Sequence, residues 1–477
     1  MSTLMHDYDQ RSGTNAEQVC LPGARGVSEV LPNVMKRAAA LAWHLCWGLV
    51  GFAIRTAVNK IFGPRLTRAE IVGQTMLATL QRLGPTYVKL GQILSTRPDI
   101  FNESTIRHLA SLQDQLPPEP YEQVPMRFKE ELGIDIEEAF LEFDPRPIAS
   151  ASVATVYKAI LQDGRPVAVK VRRTGIVELI EIDLYLLRLV ANALQLIPAL
   201  RLLPLRQSID DFGICLMRQT DFRIEAAANR RIQAALASDP HITIPGLIEE
   251  LCSPSIITMD FIREAKQSRH IKAEAAQSAM LTALQALYRM IFVEGFVHCD
   301  MHLGNLHLLD DGCIALLDFG FMAELHDQQR IKFAEFFYAM SINDGPGCAD
   351  VIVETASFCP PNLRAKAFRA EVSTLVASFS RAKTKDYQVS SFVVRLFDIQ
   401  RRYGIRGTSD FTMAIMSLLI LEGISKRFHP DLDFQSQAGP FIFSAFMLRY
   451  KLRSSLANSD SPSLDSARAR AYATSDT

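Results

Sequence analysis

His298-Cys299-Asp300-Met301-His302-Leu303-Gly304-Asn305 and, eighteen residues after Asp300, Asp318-Phe319-Gly320 are the two runs on which the reading of this chain turns. A helical pattern from Lys272 to Phe292 ends at Gly295-Phe296-Val297, which places the first run in a loop. The second run follows Ile314-Ala315-Leu316-Leu317, a short apolar strand. Read alone, each run has a simpler explanation. His298 and His302 are spaced H-x-x-x-H, but the zinc-binding helix of that spacing needs Glu at its second position; Cys299 stands there, in a loop. Asp and Gly favour turns wherever they occur, so Asp318-Phe319-Gly320 by itself is what an ordinary turn shows.

Working outward, the upstream sequence changes the weight of both. Val153, Thr155-Val156-Tyr157 and Val167-Ala168-Val169-Lys170-Val171 are largely β-branched or aromatic, and Gln162-Asp163-Gly164 separates them, the signature of a β-hairpin. Lys170 closes the alternating run. A cation on a rigid strand can pair with nucleotide phosphates without moving. The three elements together resemble those of protein kinases: the strand lysine of V-A-I-K, the catalytic loop H-R-D-x-x-x-x-N and the metal-binding D-F-G. Their order, element types and spacings all agree. The resemblance implies ATP and Mg2+ as cofactors, with Lys170 on the phosphates, Asn305 and Asp318 on the metal, and Asp300 accepting the proton of an acceptor hydroxyl or water.

The rest of the chain supplies a frame. Residues 1–30 are mostly polar and carry no signal-peptide pattern, and are expected to be disordered. Ala38–Ile54 is seventeen residues without a formal charge, flanked by Lys36, Arg37 and Arg55. That is the short edge of the ~17–25 residues a spanning helix needs, so a buried or interfacial helix is the expectation, with Trp43 and Trp47 at a bilayer surface or against a core. Ile71, Met76, Leu77 and Leu80 give a helix over Thr67–Leu83, which Gly84-Pro85 breaks, and a second helix runs on to Arg97-Pro98-Asp99. Helical patterns are also expected over Val177–Leu196, over Ile209–Leu236 and over nearly all of Asp327–Tyr450, with short strands at Ile242–Pro245 and Ile256–Met259. The tail after Leu456 is rich in Ser, Asp and Ala and reads as disordered.

Further matches make the resemblance specific. From about Leu83 to Phe434 the chain resembles the ABC1/UbiB family of atypical kinase-like proteins. Its marker is a K-x-G-Q helix, here Lys89-Leu90-Gly91-Gln92. Leu94-Ser95-Thr96-Arg97-Pro98-Asp99, Leu112-Gln113-Asp114-Gln115-Leu116-Pro117-Pro118, Asp221-Phe222-Arg223-Ile224-Glu225-Ala226 with Asn229, Leu251-Cys252-Ser253-Pro254 and Leu421-Glu422-Gly423 also resemble family stretches. The family replaces the kinase Gly-rich loop by an Ala-rich one, A-A-A-S-I-G-Q-V. Here it reads Ala149-Ser150-Ala151-Ser152-Val153-Ala154-Thr155-Val156, with Ala154-Thr155 where the family has Gly-Gln. By resemblance Ala149, Ser150, Ala151, Ser152 and Val153 join Lys170 in binding ATP, and Lys89, Gln92 and Glu225 are regulatory. Kinases pair the strand lysine with a helix glutamate. The family often shows one six residues before the position of Glu225, where this chain has Gln219. Either Lys170 pairs with Glu225, or Glu225 serves Lys89; the sequence leaves both assignments open.

The fold expected is therefore α+β: a kinase-like two-lobe structure with an N-terminal helical extension. The extension spans 31–145, the β-rich lobe 146–262, a mostly helical lobe 263–454 and a tail 455–477. With 51 Lys+Arg against 52 Asp+Glu, the chain offers no basic excess for a nucleic-acid partner. Its eight cysteines include no CxxC pair, which argues against a disulfide framework and for a reducing, cytoplasmic setting. The resemblance implies Mg-dependent ATP hydrolysis or phosphoryl transfer that supports quinone or isoprenoid-lipid metabolism. It also implies a small-molecule or lipid substrate and biosynthetic enzyme partners; the basic flanks of the apolar segment, for their part, suit peripheral contact with the inner face of a membrane. A different class remains open beside it: an ATP-gated lipid-binding or chaperone-like module.

Overall fold

A computed structural model describes residues 27–61, 63, 66–95, 103–112, 118–197, 205–262, 271–380 and 389–459. The expected disorder of 1–26 and 460–477 lies outside these residues, as do Thr96–Asp99 and Gln113–Pro117 of the family stretches. Residues 27–30 and 455–459, read from the sequence as disordered, are helical.

Helix α1 (Val27–Ile61) leads into α2 (Arg68–Leu83), α3 (Pro85–Ser95) and α4 (Glu103–Ala110). Helix α2 starts at Thr67 because Thr67 and Glu70 cap each other: the Thr67 N–H donates to Glu70 Oε2 at 2.7 Å, and the Glu70 N–H to Thr67 Oγ1 at 3.3 Å. It ends at Gly84, whose φ of 101° suits glycine, and Pro85 opens α3 without needing an N–H partner. The four helices share a core of Leu41, Leu80, Leu83, Tyr87, Val88, Leu109 and Leu112. A Cβ on Gly91 would stand 2.2 Å from Leu112 Cδ1, so the glycine is what lets α3 seat against that core.

Helix α5 (Gln123–Leu132), β1 (Phe140–Phe143), β2 (Ala149–Ser150), β3 (Ala154–Leu161) and β4 (Pro166–Arg172) follow, then α6 (Ile176–Leu194), α7 (Leu205–Arg218), α8 (Phe222–Leu236), β5 (Ile242–Thr243) and β6 (Ile256–Asp260). The sheet is antiparallel in the order β1-β3-β4-β6, with β2 added to β3. Gly164, at φ 84°, turns the β3–β4 hairpin where the sequence places it. Val167, Val169 and Val171 point into a core with Phe128, Phe140 and Tyr157, which leaves Lys170 on the other face. Residues 123–143, read from the sequence as the end of the extension, thus pack with the sheet. The single helix expected over Ile209–Leu236 is two helices. Gln219–Asp221 leave the helix because the Asp221 carboxylate accepts the Arg223 N–H at 3.1 Å and starts α8 anew. The extension docks through apolar contacts of Leu90 and Ile93 with the cluster of Ile180 and Phe212 and through an ion pair: Arg37 of α1 donates to Asp183 of α6 at 2.7 and 2.8 Å and to the Leu83 carbonyl at 2.7 Å.

Helix α9 (Ala273–Tyr288) continues as a π-helical turn over Arg289–Glu294 and stops at Gly295, φ 63°. Strands β7 (Phe296–His298), β8 (Leu306–Leu308), β9 (Ile314–Leu316) and β10 (Met322–Glu324) form two ribbons, β7 with β10 and β8 with β9; β5 runs parallel to β9. The remainder is α10 (Asp327–Ser341), α11 (Gly345–Glu354), β11 (Ala356–Phe358), α12 (Ala365–Ser380), α13 (Val389–Tyr403), β12 (Arg406–Gly407), α14 (Ser409–Phe428) and α15 (Phe434–Ser459). The β11–β12 ribbon interrupts the helical stretch expected there. Glu422, of the Leu421-Glu422-Gly423 stretch, is buried and caps α13: its two oxygens accept the Val389 and Ser390 N–H groups at 2.7 Å each. The whole is the two-lobe, kinase-like α+β fold.

Candidate nucleotide and metal site

Lys170 sits in mid-strand, paired with Val156 of β3 and Ile257 of β6, so its backbone is fixed on both sides. Its Nζ donates to both oxygens of Glu225, at 2.7 and 2.8 Å, and to Asp318 Oδ2 at 2.8 Å, and lies 5.4 Å from the ring centre of Phe222. Glu225 stands in the first turn of α8, buried, where the helix dipole favours a carboxylate. The strand that carries the lysine also fixes that helix: Arg172 Nη1 donates to the Thr220 carbonyl at 2.7 Å and to the Pro254 carbonyl at 3.2 Å. Lys170 therefore pairs with Glu225. Gln219 turns instead toward Cys215, with Nε2 4.0 Å from Sγ.

Asp318 leaves the end of β9 with Oδ1 accepting the Gly320 N–H at 2.8 Å. A Cβ on Gly320 would lie 3.1 Å from Asp318 Oδ1 and 3.4 Å from Glu225 Oε2, so a side chain here would crowd the Asp318 carboxylate. Three charges share the space. Burial pulls the Lys170 ammonium down, but the Asp318 and Glu225 charges more than reverse that and hold it protonated. Burial pushes the Asp318 carboxyl up; Lys170 and the Gly320 N–H outweigh it and hold the group well below the usual carboxylate range. Glu225 gives way: burial and the neighbouring Asp318 push it up to about 7 against the pull of Lys170. Lys89 on α3 acts on both carboxylates and lowers each, so the K-x-G-Q helix brings a second cation to the same cluster.

The loop bearing Asp300 is built on His298, which is fully buried; burial lowers its proton affinity. Its Nδ1 accepts the Asp300 N–H at 3.1 Å, and its ring lies 5.6 Å from that of Phe319. Asn305 Nδ2 donates to the Asp300 carbonyl at 3.0 Å and lies 3.4 Å from Asp300 Oδ2. The Leu317 N–H donates to the Asn305 carbonyl at 3.0 Å, which ties this loop to the residue before Asp318. With its amide nitrogen turned to Asp300, Asn305 has its side-chain oxygen for another partner. That oxygen and the Asp318 carboxylate are hard donors that fit Mg2+.

The Ala/Ser loop joins β2 to β3. Its Ala151 N–H donates to the Ala154 carbonyl at 2.8 Å, so this amide is engaged inside the loop. Arg173 holds the loop from outside, Nε on the Ala151 carbonyl at 2.7 Å and Nη2 on Ser150 Oγ at 2.8 Å. Ala149 is exposed, Ser150 and Ala151 are half-buried, and Ser152 and Val153 are buried, Val153 in one cluster with Phe222 beneath Lys170. Gln92 stays within the extension, its Nε2 3.4 Å from the Leu112 carbonyl. Sequence reasoning missed Arg172, Arg173, Phe222 and His298. The last two lie inside the quoted motifs; the two arginines follow the lysine strand directly, but no spacing rule marks them.

Residues 111–352 match the family model for the ABC1 atypical kinase-like domain, and residues 372–433 that for the UbiB helical domain. The chain is 31% identical over 390 residues to the probable protein kinase UbiB of Marinobacter nauticus, covering 80% of this chain and 70% of that one. It is 28% identical over 414 residues to the probable protein kinase UbiB of Pseudomonas fluorescens, covering 85% and 76%. Among solved structures, the complex of Rv3197 with erythromycin from Mycobacterium tuberculosis aligns with a TM-score of 0.48 at 20% identity, covering 80% of this chain and 98% of that one.

Proposed function

Because the chain belongs to the ABC1/UbiB family of atypical kinase-like proteins, we propose that it binds Mg-ATP at Lys170, Asp318 and Asn305 and turns it over slowly. Turnover is by hydrolysis or phosphoryl transfer, in support of quinone or other isoprenoid-lipid metabolism. The observation that carries this reading is the bridge Lys170 makes between Glu225 and Asp318, the lysine–glutamate pair and metal-site aspartate that phosphoryl transfer requires together. Lys170, positioned by Glu225, holds the phosphates. Asp318 and Asn305 hold Mg2+, which neutralises phosphate charge when bound. Asp300, half-exposed and oriented by Asn305, accepts the proton of the attacking hydroxyl or water.

Two features favour the second reading, in which ATP gates a lipid-binding or chaperone-like conformation. Lys89 adds positive charge beside the phosphate site, and the Ala151 N–H is engaged within its own loop, unlike an open glycine cradle. Single-turnover product analysis with the full chain separates phosphoryl transfer from gating. A phosphorylated small molecule or lipid supports transfer, whereas ADP with free phosphate, common to plain hydrolysis and to gating, counts against transfer. Comparing lipids and metabolites between wild-type cells and an Asp318→Asn strain tests the pathway.

A further inference from the structure

Away from the Lys170 cluster, α4 of the extension and helices α12, α13 and α14 enclose a cleft of about 850 Å³. That is the size of sites that take drug-sized ligands. Its floor is apolar, with Ile106, Leu375, Val394, Phe397, Met416 and Leu419 among its lining residues. Its charged side is uneven. Arg401 pairs with Asp398, while Arg402 pairs with Glu371 at 2.7 Å and Asp398 at 3.2 Å; Glu371 also accepts the Tyr403 hydroxyl at 2.8 Å. Two arginines and two carboxylates thus cancel. Arg395 differs: it is exposed in the lining and, among the described residues, it meets no carboxylate and lies over the ring of Phe379, 5.7 Å away.

We propose that this cleft binds an amphipathic anion, its hydrocarbon tail on the apolar floor and its phosphate or carboxylate head on Arg395. Tail and head are both needed. The floor alone does not choose among apolar molecules, and one exposed arginine does not hold a small anion against water. The site bridges two parts of the fold. Ile106 belongs to α4, whose Leu109 shares a core with Tyr87 and Val88 of α3, the helix that carries Lys89. An occupant therefore touches the helix that also supplies Leu109 to the extension's core. The inference does not depend on ATP binding and is tested without nucleotide.

The probe is dodecyl phosphate, kept below its micelle concentration and titrated calorimetrically into the full chain, with dodecanol and inorganic phosphate as separate arms. Saturable binding of one equivalent is expected, about tenfold weaker for dodecanol and absent for inorganic phosphate. Arg395→Glu, at an exposed position, should weaken dodecyl phosphate about tenfold and leave dodecanol unchanged. Leu419→Trp should fill the floor and remove both; Val394→Trp serves if that variant does not fold. Amide hydrogen exchange of Glu103–Ala110 should slow when the probe is bound. Binding unaffected by Arg395→Glu and by the Trp variants, or dodecanol binding as tightly as dodecyl phosphate, overturns the proposal. So does the absence of saturable binding, which would leave the cleft to another segment of the chain or to solvent.

Discussion

Around Lys170, one ammonium faces two carboxylates, Glu225 and Asp318, at 2.7–2.8 Å, so the group carries one negative charge in excess. The excess falls on Glu225, raised from 4.5 to about 7, because Asp318 has the Gly320 N–H as a second support and Glu225 is the more deeply buried. The sign follows from linkage. A carboxyl raised in the folded state contributes stability that is fully present below its unfolded value and lost as pH rises through the folded one. Glu225 should therefore cost the free protein stability between about pH 4.5 and about pH 7. Thermal melts of wild type and Glu225→Gln across that range check this: the difference between the two should change with pH. Parallel curves would contradict it. These residues were legible in the sequence as motifs. Their division of charge was not, since it depends on which carboxylate also finds a backbone N–H.

At the scale of elements, α3 turns Lys89 toward the cluster while Gly91 and Gln92 turn to Leu112 and the extension's core. The four-residue motif thus divides into one charge for the site and a tight helix contact. If Lys89 restrains the nucleotide electrostatically and the Ala/Ser loop restrains it sterically, Lys89→Ala and Ala151→Gly should each change ATP affinity or raise autophosphorylation, as nucleotide titration and a radiolabel assay would show. The wild type should not phosphorylate generic protein substrates; two variants indistinguishable from it would remove the restraint. A second element-scale prediction concerns the extension's anchor. Asp183 is fully buried and Arg37 supplies its charge partner, so Arg37→Ala leaves a buried carboxylate unpaired. Losing one partner of such a pair costs about 3–5 kcal/mol, which urea denaturation would measure. A cost below about 1 kcal/mol would place the pair with weak surface bridges. Long elements with a clear period, such as α2 and the β3–β4 hairpin, could be placed from the sequence. The break between α7 and α8 and the ribbon β11–β12 could not, because a single N-cap aspartate and strands of two or three residues leave no periodic trace.

Across the whole molecule, α1 is the element that the rest leaves uncovered. Trp43 is 63% and Leu49 71% exposed, beside Met35, Leu45, Trp47 and Ile54. Leu31–Ile61 is long and apolar enough to cross a membrane by length and composition. Yet its other face is engaged along its length: Leu41 is buried, Gly48 lies against Thr79, Arg55 reaches Thr75 at 3.4 Å, and Arg37 is held by Asp183. A helix so held suits lying in a bilayer surface better than spanning it. The expected outcome is peripheral, salt- or detergent-releasable association with anionic vesicles. The chain has two tryptophans, both on α1, so a blue shift of their fluorescence on vesicle addition reports this helix alone. A protein that ignores anionic vesicles would return α1 to a structural role. The sequence left this helix as buried or interfacial because hydropathy shows an apolar face but not what covers it.

The measurement that bears most directly on the central reading is Mg-ATP binding and turnover by folded wild type and Asp318→Asn, side by side. Asp318 is the anionic metal ligand of the proposed site and shares the Lys170 ammonium with Glu225. The isosteric amide keeps the shape and removes the charge. Wild type should bind Mg-ATP and release ADP slowly, and Asp318→Asn should lose Mg-dependent binding and fall to background turnover while melting as a folded protein. Equal affinity and turnover in the two proteins would contradict the assignment of this cluster as the nucleotide and metal site.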